Sequence, residues 1–264
     1  MEKVVFTDLD GTLLDRSTYS YAQALPAVKL LSQKEIPLVF CSAKTRAEQK
    51  VYREELGILD PFIVENGGAI FIPQDYFPFG FEYHRAQNGY LVIELGIPYQ
   101  KLRDILQQIR LDTGANFRGF GDMSVEEVAG YTGLSLEAAC RAKQREYDET
   151  LRLEGESQEV EKVLDTIRKA GLNYAHGGCY YDVMGDNDKG RAAAILIELF
   201  RRKSGELKTV GLGDSLNDLP LLSVVDIPIL VQKPGGYWEE MKLPNLWRIE
   251  GIGPEGFGRA IEEL

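Results

Sequence analysis

The sequence predicts an α/β fold: a doubly wound parallel-sheet core carrying an inserted α+β domain. Three observations predict it. Short apolar, β-branched runs alternate with helical patterns at both ends of the chain, as a parallel sheet with helices on its faces requires. The first of these runs stops at a cluster of carboxylates, where open α/β sheets hold ligands. The middle third interrupts the alternation with strand and helix units of its own.

Val4 to Phe6 reads as a buried strand ending in the polar loop Thr7-Asp8-Leu9-Asp10-Gly11. From Ala22 to Lys34 the apolar residues Leu25, Val28 and Leu31 recur at helical spacing, and Ile36 to Phe40 restores a strand. A helix follows from Thr45 to Leu56, stopped by Gly57, and Phe62 to Val64 makes a third strand. Past the middle, a helix over Lys189–Arg202, a strand over Thr209–Leu212, a helix near Asn217–Leu222 and a strand over Ile227–Val231 resume the pattern. The intervening segment holds strands at Tyr90–Leu95, Thr150–Leu153 and Tyr180–Met184 and helices at Tyr99–Leu111, Ser135–Lys143 and Gln158–Ala170. Its expected borders are the Pro- and aromatic-rich stretch Pro73 to Phe81 and the turn Gly185-Asp186-Asn187. Residues 1–82 and 186–264 then form a Rossmann-like core, and 83–185 the inserted α+β domain. A chain of 264 residues is long enough for both.

Composition bounds the function. With 44% hydrophobic and 27% charged residues the chain is neither disordered nor fibrous. No apolar run approaches the roughly 20 residues that cross a bilayer, and the acidic residues of the first ten positions do not suit an export signal, so a cytoplasmic location is expected. A net charge of −11 opposes association with nucleic acid or an anionic membrane. An anionic substrate would therefore need a local reversal of the field, from a metal ion or clustered cations. Cys41, Cys140 and Cys179 are widely spaced and are expected to be free, mostly buried thiols.

The strongest chemical signal is Asp8-Leu9-Asp10-Gly11-Thr12 directly after the first strand. Two carboxylates so close raise each other's pKa unless a cation intervenes, so the pair suits a Mg²⁺ site or an acid and base with separated pKa values. Gly213-Asp214-Ser215-Leu216-Asn217-Asp218 also follows an apolar strand. If the two strands are neighbours, hard oxygen ligands converge at their ends, as Mg²⁺ demands.

These segments resemble the motifs of the haloacid dehalogenase-like phosphatase superfamily, in its members with a large α/β, Cof-type cap. Asp8 to Thr12 match the first motif, Ser42 the second, Lys189 the third, and Gly213-Asp214 with Asn217-Asp218 the fourth. The insert falls between the second and third, as in the capped members, and Val64 to Ala69 resembles the segment those members carry after the third strand. The resemblance spans essentially the whole chain. It implies that Asp8 is a nucleophile forming an aspartyl-phosphate, that Asp10 is the acid and base, and that Ser42 and Lys189 hold the phosphoryl group. It further implies Mg²⁺ on Asp8, Asp214 and the backbone carbonyl of Asp10, with Asp218 in support. The lysine at a helix start is electrostatically misplaced unless it serves a site.

Ser42 to Glu48 and Ala142 to Glu149 resemble the mannosyl-3-phosphoglycerate phosphatase branch. That resemblance implies a small phosphorylated substrate bound by Ser42, Ala43, Lys44, Asn66, Gly67, Lys143, Arg145, Lys189 and Asn217. Lys143 or Arg145 could pair a glycerate carboxylate, and Gln144, Glu146, Tyr180 and Tyr181 could face a sugar. A phosphatase of other phosphosugars, a phosphomutase or an idle metabolite-binding relative would share the fold. His84 and His176 flank the insert as surface or hinge-packing residues, and Gly177-Gly178 reads as a flexible segment.

Overall fold

A computed structural model describes residues 2–153, 157–177 and 180–264. The first half of the core runs β1 (Glu2–Thr7), α1 (Leu25–Gln33), β2 (Leu38–Cys41), α2 (Arg46–Leu56), β3 (Phe62–Val64), β4 (Ala69–Pro73), β5 (Arg85–Gln87) and β6 (Tyr90–Glu94). The insert holds α3 (Tyr99–Thr113), β7 (Arg118–Gly119), α4 (Val125–Thr132), α5 (Leu136–Ala142), β8 (Glu149–Arg152), α6 (Ser157–Lys169), β9 (Asn173–Gly177) and β10 (Tyr180–Met184). The chain returns through α7 (Lys189–Ser204), β11 (Leu207–Gly213), α8 (Leu219–Leu222), β12 (Ile227–Gln232), β13 (Trp247–Ile252) and α9 (Pro254–Glu262).

A nine-stranded sheet of order β13-β12-β11-β1-β2-β3-β4-β6-β5 forms the core. Its β13-to-β3 part is parallel, and β4, β6 and β5 extend it antiparallel. Strand alternation divides the apolar side chains between two layers. Val5, Phe40 and Leu212 pack with α1 and α9 on one face, while Val4, Phe6 and Val39 pack with α7 on the other. Both faces are thus covered, as the sequence predicts.

The insert has its own four-stranded sheet, β7-β8-β10-β9, antiparallel throughout. Leu102, Leu106 and Ile109 of α3 and Ile167 of α6 pack against Leu151 and Val183. The strand at Tyr90–Leu95, expected in the insert, instead pairs as β6 with β4 in the large sheet. The sheet therefore continues past residue 83 to Glu94, because Val92 and Ile93 supply apolar side chains to the two core layers. β4, β5, β7, β9, β13, α4 and α9 are elements that the sequence reading did not predict.

Among the described cysteines Cys41 is buried, but Cys140 is exposed, contrary to expectation, because it lies on the outer face of α5. Cys179 and Gly178 lie outside the described residues, and Gly177 closes β9. Among the described residues no helix is long and apolar enough to cross a membrane.

Candidate active site

β1 and β11 are parallel neighbours, with Thr7 opposite Leu212, and the Asp8 N–H donates to the Leu212 carbonyl at 2.9 Å. The two carboxylate clusters therefore leave the sheet side by side at its carboxyl edge. Gly11, at φ +89°, turns the first loop so closely past the second that a Cβ there would lie 2.8 Å from Asp214 Oδ2. Only glycine accepts both that conformation and that approach.

Lys189 is the first residue of α7 and is buried between two carboxylates, donating to Asp8 Oδ1 at 2.7 Å and to Asp218 Oδ1 at 2.6 Å. Gly67 explains its placement. At φ +88° the Gly67 Cα packs so tightly on the start of α7 that a Cβ would sit 2.1 Å from the Asp188 carbonyl. Asp188 caps the helix by accepting the Arg191 N–H at 2.8 Å. Desolvation would discharge Lys189, but Asp218 and Asp8 outweigh it and hold the ammonium above its ordinary pKa.

Burial pushes the Asp8 carboxyl up to about 8, against the pull of Lys189 and with help from Asp218 and Asp214. Burial and Asp218 likewise push Asp214 up to about 6. Carboxylate oxygens of Asp8, Asp214 and Asp218 lie within 4.8 Å of one another. This all-oxygen donor set, short of positive charge, fits a divalent cation such as Mg²⁺. Asp218 is already engaged at both oxygens, because Oδ2 accepts the N–H groups of Asp214 (3.0 Å) and Ser215 (3.1 Å) while Oδ1 meets Lys189. It braces the site; Asp214 accepts the Ser215 hydroxyl at Oδ1 (2.7 Å) and Arg16 at Oδ2 (2.7 Å), while Asp8 meets Lys189 through Oδ1.

Asp10 points its carboxylate to Lys44 Nζ at 2.9 Å, and Lys44 also meets Glu48 at 3.5 Å. Glu48 belongs to the capping box with Thr45 that starts α2. Ser42, at the end of β2, is buried on the same rim, where its Oγ accepts the Lys44 N–H at 3.3 Å.

A cavity of about 200 Å³ brings Asp8, Asp10, Ser42, Ala43, Lys44, Asp214 and Asn217 together with Arg145, Thr150, Tyr180 and Asp182 of the insert. A second cavity of about 660 Å³ opens beside it along β9, reaching Asn66, Lys189 and Asn217. Most of the sequence-predicted residues thus converge. Lys143 does not: its ammonium is tied to the carbonyls of Phe120 and Met123, holding the insert's own loop. Gly67 packs beneath α7, and the Asn66 amide nitrogen bridges to Asp182 at 3.2 Å. Glu146 is spent on Arg46 and Arg85, and exposed Gln144 bonds locally, to the Cys140 carbonyl. Tyr181 stacks on His176 at 4.4 Å, and His84 accepts the Glu94 N–H at the sheet edge. Arg16, Tyr19, Glu48 and Asp182 line the cavity without having been singled out; the Asp15-Arg16-Ser17-Thr18 turn was the one available signal.

The family description "haloacid dehalogenase-like hydrolase" matches residues 5–115. Over 265 aligned residues the chain is 51% identical to the glucosyl-3-phosphoglycerate/mannosyl-3-phosphoglycerate phosphatase of Methanococcoides burtonii, covering 100% of this chain and 97% of that one. The chain belongs to the haloacid dehalogenase-like hydrolases. A Persephonella marina relative with the same name is 40% identical, with 98% and 95% of the two chains covered. The fold of this hydrolase also superimposes on a Thermoplasma acidophilum protein with a TM-score of 0.68 at 16% identity, over 100% of this chain and 98% of that one. As an enzyme this haloacid dehalogenase-like hydrolase is a phosphoric monoester hydrolase.

Proposed function

We propose that the enzyme is a Mg²⁺-dependent phosphatase that hydrolyses mannosyl-3-phosphoglycerate to mannosylglycerate and phosphate. The observation that carries this reading is the full-length 51% identity to the Methanococcoides burtonii phosphatase of glucosyl- and mannosyl-3-phosphoglycerate. The geometry supports it with Asp8 and Asp10 lining one small cavity beneath the insert and Lys189 paired to Asp8.

Asp8 attacks the phosphorus in line, and the bond from phosphorus to the glycerate oxygen breaks. Asp10 gives its proton to the departing oxygen, then takes one from the water that attacks the aspartyl-phosphate and releases inorganic phosphate. Ser42 and Lys189 hold the phosphoryl oxygens, where negative charge is concentrated. Asp8, Asp214 and the Asp10 carbonyl would hold Mg²⁺, which would supply the charge that lets a carboxylate approach an anionic phosphate. Lys44 keeps the Asp10 carboxylate at the cavity mouth.

Phosphate release from mannosyl- and glucosyl-3-phosphoglycerate, set against simple hexose phosphates, tests the reading. Preference for the glycosylated phosphoglycerates, lost in excess chelator and restored by Mg²⁺, is the expected result. Equal or better turnover of hexose phosphates would remove the narrow substrate assignment, and activity surviving chelation would remove the metal.

A further inference from the structure

Five cationic side chains line the two cavities among the described residues: Arg16, Lys44, Arg145, Lys189 and Lys233. Four are already answered. Lys189 lies between Asp8 and Asp218, Lys44 between Asp10 and Glu48, and Lys233 pairs with Glu239. Arg145 is bound to Asp148 and to the carbonyls of Ala43 and Ala142, with Glu65 and Asp182 also acting on its charge. A guanidinium facing three carboxylates has little attraction left for a fourth.

Arg16 differs in three respects. Its side chain is 35% exposed, and among the described residues it makes one hydrogen bond, Nη1 to Asp214 Oδ2 at 2.7 Å. It lines both cavities, so its remaining N–H groups border the space a substrate would enter. Its loop is also built in place rather than slack. Asp15 Oδ1 accepts from the Ser17 N–H (3.1 Å), the Ser17 hydroxyl (2.7 Å), and the Thr18 N–H and hydroxyl (both 2.8 Å). Asp15 and Ser20 close the loop backbone at 2.9 Å, and Tyr19 is held at φ +57° with its ring 4.8 Å from Lys44 Nζ. A non-glycine residue held in the left-handed region implies surroundings that over-determine it.

We propose that Arg16 is a specificity-determining residue that pairs the substrate's carboxylate. This rests on the phosphoglycerate reading above. Such a substrate carries its carboxylate on the same short carbon chain as the phosphoester, so with phosphorus at Asp8 the carboxylate must lie close by. Arg16 already holds a carboxylate there, that of Asp214, whose oxygen lies within 4.8 Å of an Asp8 oxygen. Guanidinium forks match carboxylates bidentately, which gives orientation as well as attraction.

The test compares two substrates, mannosyl-3-phosphoglycerate and the analogue whose carboxylate is replaced by a hydroxymethyl group, on wild type, Arg16→Gln and Arg16→Lys. The readouts are the ratio of kcat/KM values and the Mg²⁺ concentration for half-maximal activity. The Gln variant should lower the ratio by about 10- to 100-fold, the range for one lost charged hydrogen-bond pair, mostly through KM, with Lys intermediate. A ratio within about threefold of wild type overturns the proposal. So does an equal fall on both substrates with a shifted Mg²⁺ requirement, which would make Arg16 a support for Asp214. Wild-type enzyme that hydrolyses hexose phosphates but neither phosphoglycerate ester sinks the substrate reading and this inference with it, and that result is visible before any variant is made.

Discussion

The Glu65 carboxylate, in the turn after β3, accepts the backbone N–H of Tyr147 in the insert at 2.7 Å. The N–H groups of Glu146 and Asp148 join it at 3.0 Å, so one buried core side chain holds three successive amides of the insert. Burial pushes the Glu65 carboxyl up, while Arg145 and these amides oppose the shift. The loop so anchored carries Arg145 to the Ala43 carbonyl, at 2.9 Å, beside Ser42.

Glu65→Ala should therefore act on docking of the insert. It leaves three amides without their acceptor, and the expected loss of stability is about 1–3 kcal/mol, read by urea unfolding. Because the cavity wall moves with that loop, kcat/KM should fall as well. Unchanged unfolding and unchanged kinetics would show that the clamp is dispensable.

Asp8→Asn should abolish turnover while the fold persists. The amide cannot attack phosphorus, yet it removes one of three crowded buried carboxylates, and burial resists the ionisation of this one. Circular dichroism and thermal unfolding should match wild type or show a higher midpoint. Phosphate release near the wild-type rate would refute the nucleophile.

Acid should loosen the insert through Asp122. Burial resists ionisation of this carboxyl, but hydrogen bonds from Arg110 and Arg103 prevail and hold it well below the usual carboxylate range. Its folded value lies beneath an unfolded one near ~3.9, so its contribution is present above about pH 4 and is lost as pH falls toward the folded value. Stability followed by denaturation between pH 5 and pH 3 should fall more steeply for wild type than for Asp122→Asn; identical slopes would contradict the assignment.

The carboxyl edge of the parallel sheet was legible in the sequence because local rules coincide there. Apolar runs stop at Asp8 and Asp214, Thr45 and Glu48 announce α2, and Gly57 ends it at φ +67°. β4 escaped because a short apolar run, Ala69–Pro73, fits a strand or a loop entry equally well. α9 escaped because Gly256 and Gly258 argue against a helix. Gly256 is nonetheless demanded by packing, since a Cβ there would lie 2.4 Å from the Gly251 carbonyl.

By itself the sequence determined the α/β class, the order of core and insert, and which carboxylates end which strands, since each follows from periodicity and residue type within a few turns of chain. Tertiary structure alone decided that β1 and β11 are neighbours, that β6 belongs to the large sheet, that Lys143 is bound within the insert and that Arg16 faces the cavities. Those outcomes depend on contacts between residues far apart in the chain, where burial and charge pairing choose among partners that local pattern cannot rank.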